Sequence, residues 1–279
     1  METTSIAGLG ILIVTFLISY KGIEDYGFLD QYSFKIGAIL IHKDYKRLFT
    51  SGFLHADWPH LIFNMLTFYS FSSSLEMTLG IPRFLALYFG SLLGGNLLAL
   101  YIHRNHAGYS AVGASGAVSG LVFTSIALFP GMELGLLFLP LSIPGWAFGL
   151  LYTLYTLYGI KSKKDNIGHE AHLGGGLFGL GSAILMFPHV LQENYLPILL
   201  IVIPSSVFLF LVITRPDFLL AENPFLKHKG VLTVDDKDNI KRRANEKELN
   251  ELLEKIANTG IQSLTPKEKE RLEKLSNNK

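Results

Sequence analysis

A chain of 279 residues with 49% hydrophobic and 17% charged residues is more apolar than a soluble protein of this length, which carries about a quarter charged. Its mean hydropathy of +0.34 points the same way. A formal net charge of +1 gives no electrostatic reason for a nucleic-acid partner, and the lack of cysteine excludes disulfides, thiolate zinc sites and cysteine nucleophiles.

Charge is unevenly placed: residues 216–279 hold 13 of the 24 Lys/Arg and 12 of the 23 Asp/Glu. The chain therefore reads as a membrane core, 1–215, and a charged tail, 216–279. A helix needs about 20 apolar residues to cross the hydrocarbon. In chain order the expected spans are 4–20, 58–79, 81–103, 113–130, 135–159 with Pro140 and Pro144 inside it, 169–187 and 194–214. The first has no basic residues before it and no small-x-small cleavage site after it, so it reads as a retained span rather than a signal peptide. Residues 21–57 are too polar to span. Ile36, Ile39, Leu40 and Ile41 suggest either a structured loop at the interface or a segment packed on the bundle. In the tail, Leu249, Leu252, Leu253 and Ile256 make an apolar stripe that Gly260 is placed to stop. Thr265-Pro266-Lys267-Glu268 combines a capping box with proline at the first helical position, and Leu272 and Leu275 continue a second helix. The expected fold is all-α: a polytopic transmembrane helical bundle of about seven spans with a short soluble helical tail.

Ionisable residues in membrane helices are costly and carry a functional hypothesis by default. Here they cluster at span starts: His55, Asp57, His60 and Asn64 around the second, Ser115 at the fourth, His169, Glu170 and His172 at the sixth. These three spans run in one direction, since one span separates each from the next. His60, Ser115 and His172 should then meet near one face at similar depth. Gly116 and Gly120 on the fourth span, and Gly174, Gly175, Gly176 and Gly179 on the sixth, let helices approach backbone to backbone. Such faces also pack transporters and channels, so the glycines alone do not decide for catalysis. Ser115 beside a histidine can act as nucleophile once the base takes its proton. A tetrahedral oxyanion then needs donors, which His60, Asn64 and the Ser115 N–H could supply. Asp57 and Glu170 are available as a third member, but neither has a clear claim, so the reading is a Ser–His dyad.

The segment RLFTSGFLHADWPHLIFNM, then Glu76, GASG and AHLGGGLFG, resembles the rhomboid intramembrane serine proteases over roughly residues 46 to 187. Each motif alone is weak, but their order on spans of matching direction is specific. The resemblance implies Ser115 as nucleophile, His172 as base, and His60 with Asn64 as the oxyanion-stabilising pair. The backbone at Ala114 and Ser115 would complete that hole. It further implies structural support from His55, Arg47 and Glu76, and from Gly113 and Gly116 of the GASG motif. No metal and no cofactor are implied. The partners implied are the lipid bilayer and membrane-anchored substrates, cut in or beside their transmembrane helix. Two positions depart from the pattern: Lys46 stands where tryptophan is usual, and Ser119 where an aromatic often stacks on the base. The seventh span adds one helix to the basic six.

Three other readings compete. HEAH is one residue short of the HExxH zinc motif, so a metalloprotease would leave GASG unexplained. A catalytically inactive relative that binds membrane clients is the main alternative, although Ser115 and His172 are both present. A transporter should carry its charges at mid-membrane on broken helices, not at span starts. His42, His103, His106, His189 and His228 are expected to be solvated or at span ends, and His169 and Glu170 to be a solvated helix start. An integral, multi-pass protein of the plasma (inner) membrane is expected. Orientation stays open: most core Lys/Arg, including Lys21, Lys35, Arg104 and Lys161 to Lys164, share the Ser115 face. The positive-inside rule puts that face in the cytoplasm, whereas bacterial members of the family open outward. No partner of the tail can be read.

Overall fold

The computed structural model describes residues 5–135, 142–162, 165 and 167–215, with Lys255, Thr265, Glu268, Arg271 and Leu272 further along. The chain divides into two compact units, Met1–Leu220 and Ala221–Lys279. The first is helical apart from two short antiparallel ladders.

Helix α1 (Ile6–Glu24) leads into a folded segment: α2 (Tyr26–Tyr32), β1 (Phe34–Lys35), α3 (Ile36–Leu40), α4 (Arg47–Thr50) and a 3₁₀ turn at Ser51–Phe53. Then come α5 (Trp58–Leu79), α6 (Ile81–His103), β2 (Ser110–Ala111) and α7 (Ser115–Leu128). A hairpin of β3 (Glu133–Gly135) and β4 (Ser142–Pro144) leads to α8 (Gly145–Ser162), α9 (His169–Met186), α10 (Val190–Glu193) and α11 (Tyr195–Thr214). The seven expected spans correspond to α1, α5, α6, α7, α8, α9 and α11. Of these, α1, α6 and α11 are long and apolar enough to cross a membrane on that ground alone.

Two expected spans shift for local reasons. The fourth is 14 residues long and starts at Ser115, not at 113, because Gly113 has φ +138°, outside the helical region. Gly116 through Ala127 are buried, so α7 meets protein rather than lipid and needs no full membrane length. The fifth starts ten residues late because residues 133–135 and 142–144 pair as strands ahead of it. Pro144 closes the hairpin, and Pro140 lies outside the described residues.

The segment between α1 and α5 packs on the bundle. Phe34, Ile36 and Ile39 are buried with Ala99 of α6. Arg47 holds it together: Nη1 donates to the carbonyls of Asp30 and Ser33 at 2.9 and 2.8 Å, and Nε to the Asp44 carboxylate at 2.8 Å. On the opposite face Glu76 closes the N-terminus of α1, accepting from Ser5 Oγ and from the N–H groups of Ala7 and Gly8 at 3.2 and 2.9 Å. The first-turn N–H groups of a helix have no intrahelical partners, and a carboxylate there also meets the positive end of the helix dipole.

In the second unit the capping box forms. Glu268 accepts from the Thr265 N–H at 2.7 Å, and the Glu268 N–H donates back to Thr265 Oγ1 at 3.3 Å. Leu249, Leu252, Leu253, Ile256, Gly260 and Leu275 lie outside the described residues.

Candidate active site

The centre of the bundle is α6, α7 and α9. A β-carbon built on Gly175 would sit 2.0 Å from the Gly116 carbonyl oxygen, and one on Gly179 2.3 Å from that of Gly120. One on Gly95 of α6 would sit 2.4 Å from the Ala171 oxygen. Only glycine permits these approaches. The register sets Gly116 against Ala171, 3.0 Å from the Ala171 oxygen to a built β-carbon, and so brings the neighbours Ser115 and His172 to the same level. Both line one cavity of about 980 Å³, together with His60, Asn64 and Gly113.

Gly113 sets the approach to Ser115. Its φ of +138° favours glycine, and its N–H donates to the Ser51 carbonyl at 3.0 Å. A β-carbon there would lie 3.0 Å from His60 Nε2 and 3.5 Å from Ser115 Oγ. The His60 imidazole therefore flanks the serine hydroxyl across the glycine. Asp57 caps α5, accepting from the His60 N–H at 2.8 Å, so its role is to start the helix that carries His60. Asn64 Nδ2 donates to the His60 carbonyl at 3.0 Å and keeps a second proton. Ser115 opens α7, so its N–H is among those without an intrahelical partner.

His55 is wholly buried beneath this arrangement. The Ala114 N–H donates to its Nε2 over a long 3.4 Å, which leaves the ring proton on Nδ1. Nδ1 donates to Ser19 Oγ at 2.8 Å, and Ser19 donates onward to the Phe53 carbonyl at 2.8 Å. Burial, reinforced by His60 beside it, pushes the His55 pKa down to about 3. The Ala114 N–H is thus engaged with His55, while Ser115, His60 and Asn64 line the cavity.

His172 Nδ1 is buried and carries no hydrogen bond among the described residues. The Tyr152 ring on α8 stacks on the imidazole with centroids 6.1 Å apart and planes 20° apart. The Tyr152 hydroxyl is 2.7 Å from Ser119 Oγ, and Ser119 donates to the Ser115 carbonyl at 2.8 Å.

His169, Glu170 and His172 go to three different neighbours. His169 meets the Asp165 carboxylate at 3.1 Å, and Glu170 meets His103 Nε2 at 2.9 Å. Tyr109 stacks on His103 at 3.7 Å and is hydrogen-bonded to Glu170; burial first, then that carboxylate, pushes its hydroxyl pKa up. The expectation that His103, His169 and Glu170 are solvated is therefore corrected: all three are buried, His103 and Glu170 because they tie the end of α6 to the start of α9, and His169 because it packs against Gly159 and Tyr155 of α8. Sequence reasoning missed Ser19, Tyr109 and Tyr152. A tyrosine within an apolar span, whose hydroxyl needs a partner, was the available signal for Tyr152.

A family model described as the Rhomboid domain matches residues 42–189. A second, described as a family of unknown function, matches residues 232–278. The chain is 31% identical over 149 residues to Rhomboid protein 1, mitochondrial, of Saccharomyces cerevisiae, a match covering 51% of this chain and 43% of the relative. It is 32% identical over 143 residues to RHOMBOID-like protein 12, mitochondrial, of Arabidopsis thaliana, covering 46% of this chain and 42% of the relative. It is also 32% identical over 134 residues to the human Presenilin-associated rhomboid-like protein, mitochondrial, covering 47% and 35%. The chain thus matches less than half the length of each of these relatives.

Proposed function

The chain belongs to the rhomboid family and is an all-α membrane protein, and from that premise we propose that it is an intramembrane serine endopeptidase acting through a Ser115–His172 dyad. The observation that carries the reading is the glycine-set register of α7 on α9, which brings a serine and a histidine to one level beside one cavity. Ser115 Oγ attacks the scissile carbonyl carbon while His172 takes the hydroxyl proton. The oxyanion is held by His60, Asn64 and the Ser115 N–H; such donors act most strongly where water is scarce. His172 then returns the proton to the leaving amine. Water from the cavity, deprotonated by the same histidine, releases the acyl group. His172 needs no carboxylate partner in this scheme, consistent with an Nδ1 that has no hydrogen bond among the described residues.

The substrates are membrane-anchored proteins cut in or next to their transmembrane helix. In this reading residues 1–215 form the protease domain and residues 216–279 a charged tail. The named relatives are mitochondrial, and the plasma (inner) membrane remains our proposal for a chain of this composition.

The test is cleavage of a single-span model substrate in proteoliposomes by the full chain and by Ser115→Ala and His172→Ala. Each variant is expected to lose about 10⁴-fold or more in kcat. Undiminished cleavage by either overturns the dyad. A wild-type protein that is folded, does not cleave and takes no fluorophosphonate label at Ser115 supports the client-binding reading instead.

A further inference from the structure

The dyad leaves one physical question open, and it concerns the base. An imidazole can rotate about two side-chain bonds, and a general base works only when its nitrogen faces the hydroxyl it deprotonates. In a triad a carboxylate on the second ring nitrogen supplies that constraint. Among the described residues His172 Nδ1 has no hydrogen bond, Glu170 is committed to His103, and Asp165 to His169. The orientation must come from packing.

Two rings pack on His172. His169, one turn earlier on α9, meets it edge-on with centroids 5.9 Å apart, and Tyr152 lies nearly parallel to it, with centroids 6.1 Å apart and 20° between planes. Of the two, Tyr152 is the one linked to the helix of the nucleophile. Tyr152 is itself fixed on three sides. Phe148, one turn earlier on α8, stacks on it with centroids 5.7 Å apart and planes 10° apart. Phe123 of α7 meets its ring edge-on at 5.8 Å. Its hydroxyl reaches Ser119, whose own proton goes to the Ser115 carbonyl, so the tyrosine must be the donor in the 2.7 Å bond. A chain of contacts therefore runs from the backbone of the nucleophile, through Ser119 and Tyr152, to the face of the base.

We infer that Tyr152 is the positioning residue for the base: its ring holds the His172 imidazole toward Ser115, and Ser119 ties that ring to the helix of the nucleophile. This inference rests on the dyad proposed above. It assigns α8 a part in the chemistry although no group on α8 reacts. It also predicts a hierarchy: the ring matters more than the hydroxyl, because the ring stacks beside the base and the hydroxyl only restrains the ring.

The experiment compares wild type, Tyr152→Phe, Tyr152→Leu and Ser119→Ala as full chains in proteoliposomes. It reads kcat and KM on the single-span substrate, the pH profile of kcat, and the rate of fluorophosphonate labelling at Ser115. Thermal unfolding in detergent confirms that each variant is folded. Tyr152→Leu is expected to lower kcat and the labelling rate about a hundredfold with little change in KM, the scale on which a displaced catalytic group costs rate. Tyr152→Phe keeps the stack and should recover to within about tenfold of wild type, as should Ser119→Ala. The apparent pKa in the kcat profile should move in Tyr152→Leu and stay in Tyr152→Phe. Labelling of a folded Tyr152→Leu variant at the wild-type rate overturns the positioning role and leaves the dyad intact. Equal losses in Phe and Leu, or a loss confined to KM, overturn it as well. Absence of labelling in wild type sinks the dyad itself, a result distinct from the others.

Discussion

The centre of the bundle and its flanks are joined by different physics. Helices α6, α7 and α9 meet through main chain: Gly175 on Gly116, Gly179 on Gly120, Gly95 on Ala171. Helices α5 and α8 meet that centre through side chains. The α5 sequence has no glycine at all and inserts Leu61, Met65 and Phe68 into the core. On α8 the three atoms nearest a β-carbon at Gly149 all belong to isoleucine side chains, Ile126 Cδ1 of α7 at 3.3 Å and Ile201 Cδ1 and Cγ1 of α11 at 3.0 and 3.3 Å. Main-chain contact fixes distance because a peptide carbonyl cannot swing aside, whereas an isoleucine can change rotamer. The two reacting groups of the proposed dyad sit on the rigid centre. The groups that assist them, His60 and Asn64 on α5 and Tyr152 on α8, sit on the adaptable flanks.

By that division, substitutions on the flanks should cost rate and glycine substitutions in the centre should cost stability. His60→Ala and Asn64→Ala are each expected to lower kcat about 10²–10³-fold, as loss of one oxyanion donor does, with unfolding temperatures near wild type. Substrate-cleavage kinetics beside thermal unfolding checks this, and a collapse of the fold in either variant would blur the boundary drawn here. Gly175→Ala should cost about 1–3 kcal/mol or more, since the added methyl must push two backbones apart. Gly181→Ala, whose β-carbon meets nothing within 4 Å, serves as the control. Denaturation in detergent that ranks the two alike would break the comparison. Gly149→Ala on the flank is expected to cost less than about 1.5 kcal/mol, because the Ile201 side chain can yield.

The most diagnostic effect concerns pH. His55 has a folded pKa of about 3 against an ordinary value of 6.5. Between these values the unfolded chain binds a proton that the folded chain refuses, so the stability from neutral His55 is complete above about pH 6.5. It is lost progressively as pH falls toward 3. His55→Gln should flatten that part of the profile of unfolding temperature against pH. A slope as steep as wild type would mean that other groups carry it.

Much of the site was legible in the chain. Ser115, His172, His60 and Asn64 could be placed on one side because spans of like direction start at like depth. Arg47 and Glu76 were named from resemblance, and in the fold each has hydrogen bonds that account for its position. What was not legible depended on partners distant in sequence. Glu170 looked like a solvated helix start, and partners distant in sequence, His103 67 residues away and Tyr109, turn it into a buried acid. Ser119 looked like a gap where an aromatic was expected. The ring arrives from Tyr152, 33 residues on, and the serine serves as its anchor.

Sequence by itself determined the class of this protein, because the length and polarity of a membrane segment are constrained by the bilayer and need no partner to be read. It also determined which residues could react, because few ionisable groups are tolerated in such segments. Only the tertiary structure decided how those residues are held. Helix register, the choice of which tyrosine reaches the base, and which N–H is already engaged with His55 are outcomes of packing between helices. No local pattern encodes them.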